Sequence, residues 1–89
     1  MSVYVVTYDL RQPGRNYNVL YAALNKYEHC HGLESVWFVD SSKTATNIRD
    51  DLKNQIDAND ILFVGELQKH WASQKNPCVE WLTDASRSW

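Results

Sequence analysis

Every residue from Val3 to Tyr8 is β-branched or aromatic. Such a run suits a pleated surface and leaves no charged side chain for water, so it reads as a strand buried on both faces and therefore central in a sheet. Asp9 ends it. The Pro13-Gly14 pair turns the chain within a loop over Arg11–Asn16, and Asn16 is suited to cap a following helix. That helix is expected over Tyr17–His29, because Tyr17, Leu20, Tyr21, Leu24 and Tyr27 or Glu28 recur at helical spacing. Gly32 is the expected stop.

Leu33–Val39 is strand-like again, most strongly over Val36–Val39. A turn over Asp40–Thr44 follows, with Ser42 or Thr44 as the cap of a helix over Ala45–Ile56. Ala45, Ile48, Leu52 and Ile56 share one face of that helix, and Arg49, Asp50, Lys53 and Asn54 the other. Asp57–Asp60 is a turn and Ile61–Leu67 a strand. Asn76 and Pro77 then suit the start of a short helix to about Ala85, with Cys78, Trp81, Leu82 and Ala85 on one face. The order places helices on a small sheet, as α/β or α+β. A plain crossover makes the sheet parallel; a hairpin hidden in Leu33–Ser41 makes it a ferredoxin-like βαββαβ sheet. Residues 1–70 form the expected core and 71–89 a tail of the same domain, without repeats or a linker.

A chain of 89 residues buries a modest share of its surface and commonly needs a disulfide, a metal or a partner subunit. The N-terminus opens on strand-like sequence rather than a signal peptide, so Cys30 and Cys78 are expected to be reduced thiols of a cytoplasmic protein. No apolar run approaches the roughly 18 residues that suggest a membrane span. Four tryptophans and five tyrosines favour interfaces, which makes a homodimer the expected staple. A net charge of −2 and a pI near 5.8 argue against strong sequence-independent nucleic-acid binding. They leave room for a local basic patch, or for a nuclease whose metal supplies the positive charge.

Several motifs carry a resemblance. Tyr8-Asp9-Leu10 closes the first strand; Leu33-Glu34-Ser35-Val36-Trp37, Ile48-Arg49-Asp50-Asp51-Leu52 and Leu62-Phe63-Val64-Gly65-Glu66-Leu67 follow in that order. Over roughly residues 3–70 this resembles the CRISPR-associated protein two family, and most closely its short stand-alone members, the SinR-like branch. The resemblance implies a ferredoxin-like fold, antiparallel with two helices on one face, and a homodimer. It implies that Asp9 matches an aspartate proposed to bind a divalent metal near the dimer axis. Some family members are metal-dependent RNases or DNases, others structural dimers between integrase subunits, and virulence-associated protein D toxins are distant relatives. Here the position of a family arginine falls near His31, Trp37 replaces a phenylalanine, and a tryptophan-rich tail replaces the C-terminal strand.

Asp9 is accordingly the candidate catalytic and metal-binding residue. A carboxylate at the end of a central strand faces the crevice where ligands bind open α/β sheets. Two such groups across a two-fold axis repel unless magnesium, manganese or a shared proton relieves them. A metal there would activate water and stabilise a phosphoryl transition state. The competing reading is an Asp that caps the next turn. Arg11 and Arg15 are candidate phosphate contacts, or solvated loop residues. Ser35 is a candidate site hydrogen-bonder, or satisfies a backbone group. Tyr8 stacks a base or lies in the core. His29, Cys30, His31, His70 and Cys78 match no standard zinc spacing. Trp71, Trp81 and Trp89 suit packing better than base stacking, given the few nearby cations. The leading expectation is a dimeric nuclease-like protein acting on RNA more than DNA, in a phage–host defence or toxin–antitoxin setting. The alternative is a non-catalytic homodimer that binds a protein partner or a small nucleotide.

Overall fold

The computed structural model describes residues 2–11, 17–85 and 87. Strand β1 spans Ser2–Asp9, helix α1 Asn18–Asn25, β2 Glu28–Leu33, β3 Val36–Ser41, α2 Ala45–Lys53, β4 Ile61–Leu67 and helix α3 Val79–Thr83. This is a small α+β domain in βαββαβ order, with one antiparallel sheet ordered β2-β3-β1-β4 and a short C-terminal helix. The Val3–Tyr8 run is the core of a central strand, as its composition demands.

Alternation along β1 divides the core in two. Tyr4, Val6 and Tyr8 point to one face, where Trp37 and Val39 of β3 join them under Leu20, Leu24, Ile48 and Leu52 of α1 and α2. The Thr44 hydroxyl caps α2 by accepting from the Asn47 amide at 3.1 Å. The helix ends at Lys53, yet Ile56 still packs on this cluster from the turn beyond. Val3 points to the opposite face with Phe38, where Cys78 and Leu82 of the C-terminal segment cover them.

Helix α1 is shorter than its apolar spacing suggests. The amides of Lys26 and Tyr27 close it onto Ala23 and Leu24, and Glu28–Leu33 leaves helical geometry to pair with β3. The hairpin therefore starts at Glu28, not Leu33, because cross-strand packing outweighs the helical period past Leu24. Gly32 is not a helix stop. It lies at a register shift in β2, and a Cβ there would meet Cys78 Sγ, Asn76 Oδ1 and the Phe38 ring, each at 3.2 Å. Its missing side chain lets the C-terminal segment cross the sheet at close range. Asp40 and Ser41 are likewise buried ends of β3 rather than turn residues.

The expectation of free thiols is overturned. Cys30 and Cys78 form a disulfide across a separation of 48 residues, and the cytoplasmic setting argued from reduced thiols loses that support. The bond stitches β2 to a C-terminal strap, residues 68–85 and 87. Within it Lys75 takes a left-handed backbone, φ 59°, and the Asn76 side chain then accepts from the Cys78 amide at 2.8 Å. At its far end Arg87 donates to Asp40 at 3.0 Å and to Glu28 at 2.9 Å, with its guanidinium 3.9 Å from the Trp81 ring. Asp40 Oδ1 is buried without a partner among the described residues, so Arg87 supplies what neutralises this carboxylate. Among the described residues no helix is long and apolar enough to cross a membrane.

Closing a loop of this length in the unfolded chain is worth about 4 kcal/mol in the chain-entropy treatment. Urea unfolding with and without dithiothreitol is expected to show a stability loss approaching that figure, with the sheet still folded in water.

Candidate functional site

Pairing registers arrange the strap face as rows across the sheet. Glu28, Asp40, Val3 and Leu67 form one row; Cys30, Phe38, Val5 and Gly65 the next; then Leu33, Val36, Thr7 and Phe63; and at the end Asp9 and Ile61. The strap covers the first two rows, through Cys78, Leu82, Trp71 and Trp81. The last two carry the exposed large apolar side chains, with Phe63 60%, Leu33 56% and Ile61 49% accessible. The Phe63 ring leans along its own strand: a Cβ on Gly65 would lie 3.0 Å from it.

Asp9 stands at this open end. Its carboxylate is 61% exposed and accepts from Arg11 Nη2 at 3.0 Å, so the two candidates meet as an exposed ion pair, of little stabilising value. Arg15 lies outside the described residues, as do the cap expected at Asn16 and the tail residue Trp89. Tyr8, Asp9, Leu10, Tyr21, Glu34 and Ser35 line an open depression of about 490 Å³, within the volume range of small-molecule sites. Three of the sequence candidates thus share one depression and Arg11 pairs at its rim.

Inside it, Tyr8 is a core residue. Its hydroxyl donates to the Glu34 carbonyl at 2.9 Å and accepts from Trp37 Nε1 at 3.1 Å. Burial pushes the hydroxyl above its ordinary 10.0, and the Trp37 donor works the other way. The Ser35 carbonyl accepts from the Tyr8 amide at 3.3 Å, which fixes the β2–β3 turn against β1. The sequence gives no sign of Asp60. Its carboxylate accepts from the Arg11 amide at 2.6 Å, the Tyr17 hydroxyl at 3.0 Å and the Asp57 amide at 2.8 Å. It anchors the chain leaving β1, and the signal for it is the Asp9–Ile61 pairing, visible only in the sheet.

The remaining candidates have other partners. Cys30 and Cys78 are bonded to each other. His31 stacks on Trp37 with centroids 4.0 Å apart, and His29 Nδ1 lies 2.8 Å from the Tyr27 carbonyl. Among the described residues no group of three or more His, Cys, Asp or Glu side chains could hold a metal ion. A depression of about 560 Å³ near Tyr27, Lys43 and Asp51 lies at the opposite end of β1. It is filled chemically by its own contacts: Asp51 accepts from Lys43 at 2.6 Å and from Tyr27 at 2.7 Å. The chain matches no protein-family model and no curated protein.

Tyr8 in the fold keeps its proton to higher pH than in the unfolded chain, as does Tyr27, raised by burial and by its bond to Asp51. Their stabilisation is complete below the unfolded value and is lost as pH rises through the folded one. Stability should therefore hold up to about pH 10 and fall as pH rises beyond it. Tyr8→Phe should flatten that fall and, by leaving the Trp37 N–H without its acceptor, cost about 1–3 kcal/mol at neutral pH. Urea unfolding across that pH range measures both.

Proposed function

We propose that the protein works as a homodimer joined through the open end of the strap face, and that its paired Asp9 carboxylates hold magnesium or manganese for hydrolysis of an RNA or DNA phosphodiester. The supporting observation is the register that sets Asp9 beside Ile61 and one row from Phe63 on a single face. A second copy seated on those exposed apolar side chains brings its own Asp9 toward the first. One carboxylate is a poor site for a divalent ion. The paired Asp9 carboxylates would offer oxygen ligands to a hard divalent cation such as magnesium or manganese. Such an ion would supply Lewis-acid chemistry for phosphodiester hydrolysis. Arg11, which stands beside Asp9, would contact the phosphate.

The finer fold assignment is part of the same proposal. Strand order β2-β3-β1-β4 with α1 and α2 over one face is that of a ferredoxin-like domain, the architecture implied by the resemblance to the CRISPR-associated protein two family. The proposed compartment is the cytoplasm, where nucleic acid and thiol reductants are both at hand.

A second reading keeps the dimer and drops the chemistry: a homodimeric adaptor for a protein or small nucleotide. It is favoured by the Arg11–Asp9 pair, in which Asp9 already has a cationic partner.

Light scattering with and without dithiothreitol tests the dimer. Wild type is expected to dimerise in at least one thiol state and Phe63→Glu in neither; a wild-type monomer in both states removes the shared site. Cleavage of RNA and DNA with magnesium, manganese or EDTA separates the two readings. Activity that needs metal and falls at least about 100-fold in Asp9→Ala supports the nuclease; cleavage unaffected by that substitution sinks it, and no cleavage by a confirmed dimer leaves the adaptor.

A further inference from the structure

The open end of the strap face is small for the interface assigned to it. Its six side-chain positions, four in one row and two in the last, at about 4.8 Å by 6.8 Å each make a patch of roughly 200 Å². A stable interface buries about 800 Å² on each partner. The surface that would enlarge it lies directly alongside, in the Cys30–Phe38–Val5–Gly65 row, and is covered by the strap.

From this juxtaposition we infer that the Cys30–Cys78 disulfide is a reducible latch on the C-terminal strap, and that opening it uncovers apolar sheet surface that a second copy of the chain then occupies. The inference rests on the dimer proposed above and adds its regulation.

The disulfide sits in the row that borders the open face, so it fixes the edge of the cover. Its two sulfurs differ in access: Cys78 is fully buried, whereas Cys30 is partly exposed on edge strand β2. A dithiol reductant therefore meets Cys30 first. Its thiolate attacks Cys30 Sγ, and the Cys78 thiolate leaves and takes up a proton. The second thiol of the reductant then attacks the mixed disulfide, freeing Cys30 and departing as the oxidised reductant, with two electrons delivered to the protein.

Near the bond, the strap meets the sheet through the apolar packing of Cys78 and Leu82 on Val3 and Phe38. Asn76 bonds within the strap itself, to the Cys78 amide, and the left-handed Lys75 stands just before it, a conformation that a released segment need not keep. The polar ties from strap to sheet are at the far row, where Arg87 holds Asp40 and Glu28 and Trp81 Nε1 donates to Glu28 at 3.1 Å. The strap is thus held at both ends on the far row, by its continuity with β4 after Leu67 and by Arg87, and Cys78 is the latch between them. Opening the latch frees Phe38 and Val5 to join Val36, Thr7 and Phe63 as one continuous surface, while the helix-side core keeps the sheet folded.

Hydrogen exchange and light scattering of the full chain, oxidised, treated with dithiothreitol, and as the Cys30→Ser/Cys78→Ser variant, test this. Strap amides over residues 70–80 should exchange at least about ten-fold faster in the reduced and variant proteins, with β1 and β3 still protected. Dimer affinity should rise about ten-fold in the same samples. Unchanged strap exchange overturns the latch and leaves the dimer reading standing. A freed strap with equal dimer affinity in both thiol states overturns the gating alone. A monomer in every state overturns the gating together with the dimer. Loss of protection in β1 and β3 on reduction shows a staple of the whole fold instead of a latch, and also overturns the inference.

Discussion

The pairing of β1 with β3 on one side and β4 on the other is the constraint from which the rest follows. Because side chains alternate, that double register sorts Tyr4, Val6 and Tyr8 under the helices and Val3, Val5, Thr7 and Asp9 onto the opposite face. A slip of one residue would exchange the two sets, putting Asp9 toward the helices and Tyr8 into water. The bond from the Tyr8 amide to the Ser35 carbonyl, together with the Tyr8 hydroxyl on the Glu34 carbonyl, pins the register at the end where the candidate site lies.

The two faces are completed by different means. On the helix side, Leu20, Leu24, Ile48 and Leu52 make an ordinary two-layer core. On the other side, among the described residues, the cover is a strap that carries the short helix α3 and is held by one disulfide and one buried arginine. Removing Arg87 leaves the buried Asp40 carboxylate without its cation, which ordinarily costs about 3–5 kcal/mol; the strap's far end is therefore held independently of the disulfide. The strap stops short of the last two rows, and Asp9 lies in what it leaves open.

Much of this architecture was legible. The β1 and β4 strands and the apolar faces of α1 and α2 follow from local composition and period, and Thr44 announces its cap, whereas the helix expected from Asn76 and Pro77 to about Ala85 spans only Val79–Thr83, with Cys78 at its N-cap. What was not legible depended on contacts distant in sequence. Glu28–Leu33 carries no strong strand signal and is a strand because β3 holds it. Two cysteines in a short chain do not reveal that they meet, and Gly32 looks like punctuation until the strap is seen crossing above it. The candidate site divides the same way: Asp9, Ser35, Arg11 and Tyr8 do converge, whereas the anchoring role of Asp60 and the apolar rows beside Asp9 exist only once the sheet is paired. Tyr8 shows the limit of motif reading, since its hydroxyl is committed to Glu34 and Trp37.

The central claim is that a second copy meets the chain on the Asp9 end of the strap face. Isotope-filtered nuclear Overhauser spectroscopy on a mixture of 13C-labelled and unlabelled chains tests it without any substitution. The account predicts intermolecular contacts from the Ile61 methyl groups and the Phe63 ring, with Leu33 and Val36 joining them. Intermolecular contacts confined to α1 and α2, or none at concentrations where the protein is dimeric, would contradict it.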